Sequence, residues 1–570
     1  MNLRCLALAL LALAPAVPAA AQSTAPPATP KASCGPGSLP EPGLQGRVAK
    51  EDVEDGDAAA GYRCNIAEVG HSGQTGGYKV LRYVDKAGHE CAYYDTTLLF
   101  PINALSLSLE PTGVAVLDMS DPANPVRTDS LLTPAMQTPH ESLNISVDRG
   151  VLAAVAGNPA FAPGIVDVYD ISADCRHPVL KASAPVGFLG HESGMAPDGK
   201  TFYPTSLGTR GLAQTTTAVD ISNLSVPLTL GVYGFDSHGM TVSDDGTRGY
   251  MAAEDGLRIV DLTEIQQRKP NPQVREISRL TWPNITIPQI AHPVTIDGKP
   301  YVVEVDEFSA TAKGSEGVEE LLFGAAANGE RVGAARIIDI SDETKPRVVS
   351  DIRLEVHQPE NRAAIADDFG AQNLAQGYAA HYCGVPRRVD PGIIACSMIL
   401  SGLRVFDIRD PENPKEIAYY VAPPDTISKS GGPVIDERAN YAMSQPAFVP
   451  ERNEIWYSDG TSGFRALRLT NGAWPAANTP TGGAQRCRSK RVFRIHLKHP
   501  YRDYTRSARV TVDGKRVPVR KGRPHFTARI DLRGKRQKVV VVRAVSRTQS
   551  GRVLRETRRY RTCRPGPTAS

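Results

Sequence analysis

The sequence predicts an all-β fold: a seven-bladed β-propeller closed by an N-terminal strand, followed by a small C-terminal β-sandwich. Three observations carry this. A strand-and-turn motif recurs seven times, each recurrence is spaced for four strands, and the last part of the chain changes both composition and charge.

The motif is an apolar run, then Asp, an apolar residue, often Ser or Thr, and Pro a few places on. It reads GVAVLDMSDPANP (113–125), GIVDVYDISADCRHP (164–178), TTAVDISNLSVP (216–227), GLRIVDLTEIQQRKPNP (256–272), ARIIDISDETKP (335–346) and GLRVFDIRDPENP (402–414). A seventh copy, GFRALRLTNGAWP (463–475), has Arg468 in place of the acid. Val, Ile and Leu suit a buried pleated surface. Asp and Ser bond turn backbone, and Pro closes the turn. Asp118, Asp170, Asp220, Asp261, Asp339 and Asp407 are therefore expected to be structural, since one register repeated six times is a poor design for six catalytic acids.

Between the copies lie tight turns such as Asp198-Gly199, Asp245-Gly246 and Asp297-Gly298, each a hairpin signal. Four antiparallel strands repeated seven times make a propeller. The seventh unit has no fourth strand of its own. The N-terminal segment GYKVLRYV (77–84) is expected to supply it and hide the edges. The propeller then spans 77–474, with a linker at 475–485. Residues 1–21 read as a signal peptide and 22–76 as a flexible leader rich in Ala, Pro, Gly and acids. No later apolar run is long enough to span a membrane.

The motif strands resemble LVIVD repeats, found in secreted bacterial propellers. The similarity is closest over AAHYCGVPRRVDPGIIACSMILSGLRVFDIRDPENPKEIAYYVAPP (379–424) and extends to PERNEIWYSDGTSGFRALRL (450–469). It covers roughly 77–470 and implies an extracytoplasmic propeller with no settled activity or substrate.

One histidine recurs per unit: His89, His140, His191, His238, His292 and His381, with Gln445 in the seventh. The first three are 51 residues apart, in GHEC, PHES and GHES. Each is expected at the entry to an innermost strand, ringing the mouth of the channel. Two readings stay open. Imidazole suits a transition ion such as copper or zinc, which would take three or four of the six. Alternatively each histidine bonds the backbone of the next blade and fixes its angle, a role Gln445 could share. The glutamates that follow (Glu90, Glu141, Glu192) are expected to point away, because neighbouring residues on a strand face opposite sides. They do not form a metalloprotease motif, which needs a second His four residues on. Asp306 and Glu307 open a long insertion at 308–334 on the histidine face, and with Gln445 they are candidates for holding a polar ligand. A second insertion spans about 357–380.

No nucleotide-binding glycine loop and no GxSxG elbow occurs. The leading functional reading is a secreted or envelope-associated binding or scaffold protein rather than an enzyme. A metal-dependent, copper-type oxidoreductase is the alternative, and a hydrolase the weaker one. Eight cysteines follow the signal, which favours disulfides in an exported protein. Cys383–Cys396 flank a hairpin, Cys34–Cys64 and Cys91–Cys175 pair by proximity, and Cys487–Cys563 would clamp the last domain.

That domain, 486–565, is expected to be a basic immunoglobulin-like sandwich. Residues 486–570 hold 27 Lys/Arg against Asp503, Asp513, Asp531 and Glu556, a net of +23, while the rest of the chain is −19. Such a module should bind a polyanion. For an exported chain this means cell-wall phosphate or acidic glycan, not nucleic acid, since aromatics for base stacking are few.

Overall fold

The computed structural model describes residues 25–96, 113–157, 163–206, 214–309, 331–371, 377–424, 438–475, 492–497, 503–512, 514–522, 526–532 and 539–561. The chain forms two compact units, Met1–Ala476 and Ala477–Ser570. The signal segment 1–21, Cys487 and Cys563 lie outside the described residues, as does most of the 308–334 insertion.

The first unit is a β-propeller built of seven antiparallel sheets, six with four strands and one with five. In each, the third strand carries the repeated motif, for example Val114–Asp118, Val166–Asp170 and Ala335–Asp339. The six aspartates do the turn work expected of them. Each accepts the backbone N–H two residues on, from Ser120, Ser172, Ser222, Thr263, Ser341 and Arg409, at 2.8–3.0 Å. Where Arg468 replaces the acid, its guanidinium reaches back to Glu454 at 2.7 Å. Every third-to-fourth strand pair also contains a register shift. One extra residue per blade sharpens the right-handed twist that each sheet needs.

Closure follows a different path from the expected one. Val80–Val84, within the segment assigned to complete the last blade, is instead the first strand of the first sheet. The closing strand is Ile66–Ser72, paired with Gly463–Leu469. Tyr62–Cys64 adds a fifth strand to the sixth sheet against Tyr419–Val421. The ends of the ring also meet inside: Lys79 bridges Gln445 in parallel, with Gln445 N donating to Tyr78 O at 2.8 Å.

The segment 25–76, expected as a loose leader, is threaded into this structure. Glu41 pairs with the fully buried Arg404, Gln45 bonds Glu416 at 2.9 Å, and Arg47 bonds Asp368 at 2.8 Å. Disulfide Cys34–Cys64 fastens it. Its Pro, Gly and acid content suits irregular but well-bonded backbone as readily as disorder. Cys91–Cys175 and Cys383–Cys396 are also bonded. Among the described residues no helix is long and apolar enough to cross a membrane.

The second unit is a small β-sandwich. One sheet runs Val519–Arg520, Thr527–Asp531, Val492–His496; the other runs Lys515–Val517, Thr505–Val512, Val539–Thr548, Val553–Arg561. Ile495, Ala528 and Ile530 of the first sheet share one core with Val510, Val542 and Ala544 of the second.

Candidate metal centre in the channel

Four of the six repeat histidines converge: His140, His191, His238 and His381. Each lies just before the first strand of its sheet, at Asn144, Glu192, Met240 and Tyr382. Two glutamates complete the cluster, Glu141 beside His140 and Glu307 at the end of the second strand of the fifth sheet. The imidazole Nε2 atoms of His191, His238 and His381 lie 3.4, 3.5 and 3.2 Å from the Glu141 carboxylate. Those of His238 and His381 lie 3.2 Å from the two oxygens of Glu307. His191 and His238 approach Nε2 to Nε2 at 3.1 Å. His140 Nδ1 is 3.3 Å from Glu141.

These separations match the edges of a coordination polyhedron. Ligands about 2.0–2.1 Å from one ion stand roughly 2.8–3.0 Å apart in octahedral geometry and about 3.3–3.4 Å apart in tetrahedral geometry. Charge-assisted hydrogen bonds are shorter, about 2.7–2.9 Å. Glu141 Oε2, His140 Nδ1 and His381 Nε2 are buried and make no hydrogen bond of good geometry. Leaving buried polar atoms without partners is costly, and three of them gathered around one carboxylate suit an ion held there.

The outer nitrogens are fixed. His381 Nδ1 bonds the carbonyl of Met443, in the entry to the next sheet, at 2.7 Å. His238 Nδ1 lies 3.3 Å from Glu192, whose other oxygen accepts from the buried Lys79 at 2.9 Å. With the proton on Nδ1, Nε2 presents its lone pair to the centre. Tyr78 closes one wall, stacked on His140 with ring centroids 4.4 Å apart.

Electrostatics at the centre are dominated by the two carboxylates. Burial opposes charge on His381, but Glu141 and Glu307 outweigh it and hold that imidazole at about 9. Burial likewise opposes charge on His238, and Glu141, Glu192 and Glu307 push it well above the usual range. Burial pushes His191 well below, reinforced by His140 and His238. Glu141 is drawn well below the carboxylate range despite burial, by His140 and His238.

Two histidines are elsewhere. His89 is not at the entry to a first strand; it sits in the turn between Val80–Val84 and the second strand Glu90–Asp95, bonded to Asp85 at 2.8 Å. Because the first sheet begins one strand earlier than expected, Tyr78 takes the channel position. His292 lies within Ile287–Ile296, where burial, Arg388 and Lys79 lower it to about 3. It lines a separate cavity of about 390 Å³ with Lys79, Arg388 and Gln445. Gln445 is thus a channel residue, away from the histidine cluster. Asp306 faces away, taking Arg336 at 3.0 Å and the Trp282 indole N–H at 3.0 Å.

The glutamates after His were misjudged by strand alternation. His140 adopts a left-handed conformation, φ 50°, and Ser142 N bonds Pro139 O, so Glu141 lies in a turn and faces the same centre as its neighbour. Glu192 does leave its own histidine, but only to support His238. Glu90 also points away from its own histidine, pairing outside with Arg82 and Arg452. The recurring HES triplets (140–142 and 191–193) were the signal available.

No protein-family model and no curated protein matches the chain. Solved structures that are similar include a putative 6-phosphogluconolactonase from Bacteroides uniformis (11% identity, 63% of this chain, 91% of that chain, TM-score 0.38). Another is the Cps50 (Swd1) β-propeller domain of Myceliophteria thermophila (10% identity, 70% and 98% covered, TM-score 0.39). A third is a chain of the Mitotic Checkpoint Complex (9% identity, 71% and 91% covered, TM-score 0.40).

Proposed function

We propose that this protein is an extracytoplasmic, LVIVD-type propeller whose channel binds one divalent transition ion, zinc or copper. The observation that carries the reading is the convergence of His191, His238 and His381 Nε2 on Glu141, with His238 and His381 also reaching Glu307. Three imidazoles with carboxylate oxygen, and no thiolate, suit these ions. Charge supports a single ion. Lys79 balances Glu192, which leaves the two inner carboxylates for one dication. His140, whose Nδ1 also approaches Glu141, is the fourth imidazole available. Three disulfides suit an exported chain. The role is binding rather than catalysis.

The test is metal content of full-length protein exported to a periplasm, loaded with zinc or copper and desalted. About one ion per chain is expected, and X-ray absorption should report three or four imidazoles with oxygen. Less than about 0.1 ion per chain would sink the proposal. The second unit is proposed to bind a polyanion outside the cell, on the strength of its net charge.

A further inference from the structure

The four-stranded sheet of the C-terminal unit has one face in the core and one in solvent. Strand register shows what the outer face carries. Arg516 and Arg543 both pair with Thr511, and Arg509 and Arg555 both pair with Val545. Arg547 is paired with Ser507. Side chains alternate along strands, so positions 543, 545 and 547 share one side with their partners, while Val542 and Ala544 turn to the core. Arg509, Arg516, Arg543, Arg547 and Arg555 are all exposed on that side. Among the described residues this face holds no Asp or Glu, and none of these five arginines has an ion pair. Glu556 pairs with Ala544 and so belongs to the opposite side.

We infer that this arginine face is the polyanion-binding surface, and that its partner is a linear phosphodiester polymer without bases; this rests on the polyanion reading above. Strands are about 4.8 Å apart and residues two apart on a strand about 6.8 Å. The backbone positions that carry these arginines stand roughly 10 Å apart across the sheet and about 14 Å apart between Arg543 and Arg547. That spacing lets one chain of repeating phosphates meet several of them. Arginine rather than lysine suits two-pronged phosphate contact. Among the described residues of its paired strands the face presents Val541, Val545 and Val553 and no aromatic ring, with the exposed Tyr504 just before the strand Thr505–Val512, so it has no row of rings on which successive bases could stack. It also lacks the aromatic residues that anchor proteins at a bilayer interface. The other sheet offers a rival: Arg494 and Arg529 line a cleft there, together with Asp531.

The experiment uses the full chain and measures binding to poly(glycerol phosphate), a base-free phosphodiester polymer, over a range of salt. Parallel arms use heparin, single-stranded DNA and phosphatidylglycerol vesicles. Arg543→Ala/Arg547→Ala/Arg555→Ala is compared with Arg494→Ala/Arg529→Ala, and thermal melting checks that both variants fold. The face variant should bind poly(glycerol phosphate) at least tenfold more weakly at low salt. Its slope of log K against log salt should flatten by about 2, since each phosphate contact contributes roughly 0.7–0.9. The cleft variant should stay within about twofold of the parent. Equal losses in both variants would mean diffuse charge and overturn the assignment of the face. Tighter binding to heparin, DNA or vesicles would overturn the phosphodiester partner while leaving the polyanion reading. No binding to any arm at low salt would remove both.

Discussion

The Nε2 atoms of His191 and His238 lie 3.1 Å apart inside the propeller channel. Two lone pairs cannot face each other at that distance without a positive centre between or beside them. A proton on His238 serves in the metal-free protein, held there by Glu141, Glu192 and Glu307 against the cost of burial. A divalent ion would serve better, because it also satisfies His381 Nε2 and Glu141 Oε2, which lack hydrogen bonds.

His238→Ala should therefore abolish stoichiometric metal, because it removes a donor that touches both carboxylates and approaches His191 as well. Glu141→Gln should weaken metal at least a hundredfold while keeping the side chain's shape. His89→Ala and His292→Ala should leave metal content unchanged, since neither imidazole reaches the cluster. Elemental analysis of the four variants tests the set. Loss of metal in His292→Ala as complete as in His238→Ala would contradict this geometry. Chelation should also lower the melting temperature of the parent: an ion at a hundred times its Kd stabilises by about 2.7 kcal/mol.

Glu192 reaches the cluster through His238 Nδ1, and its carboxylate lies within 4.8 Å of a Glu141 oxygen. Glu192→Gln and Lys79→Met should cost about 10–100-fold in metal affinity rather than all of it. Competition titration against a chelator of known affinity reads that window. A full loss would make Glu192 a ligand, and no change would remove its orienting role.

Much of this was legible in the residues, and the failures have physical causes. The aspartate motif exposed the repeat because each Asp must bond the same N–H two residues on. The ring was predicted to close through the N-terminus, and it does, but by Ile66–Ser72. The error arose because Val80–Val84 and Ile66–Ser72 are both short apolar strands near the start, and one-strand slips leave the pattern unchanged. That slip carried His89 to a turn and hid Tyr78. Strand alternation misled on Glu141 because a residue at φ 50° breaks the alternation, and a non-glycine residue gives no warning of it. The two readings of the histidines proved compatible in His381: its Nδ1 bonds the next sheet's backbone, and that bond aims Nε2 at the centre.

A pH effect on stability should come from the fifth sheet. Arg336 serves two buried carboxylates, Glu304 and Asp306, and Glu304 Oε1 has no hydrogen bond. Burial and the Asp306 charge push Glu304 well above its ordinary 4.5. The folded chain thus keeps a proton that the unfolded chain releases above about pH 4.5. This stability is complete below that pH and is lost as pH rises toward the folded value. Urea midpoints between pH 5 and 8 should fall with pH in the parent and fall less in Glu304→Gln. Parallel profiles would show that Glu304 ionises normally.

The N-terminal segment should matter to the fold as much as a blade strand does. Arg404 is fully buried in the sixth sheet and meets only two acids, Glu416 of the same sheet and Glu41 of that segment. Glu41→Ala leaves a buried guanidinium half paired, and breaking a buried pair costs about 3–5 kcal/mol when no other partner remains. With Glu416 still at 3.0 Å, a loss of about 2 kcal/mol is expected. The double variant Glu41→Ala/Arg404→Met should recover most of it, because an apolar chain of similar length needs no partner. Denaturant unfolding of the three proteins decides the matter. If Glu41→Ala unfolds like the parent, the Glu41–Arg404 pair adds nothing to stability, and the segment is held by its other bonds, such as Gln45–Glu416 and Arg47–Asp368.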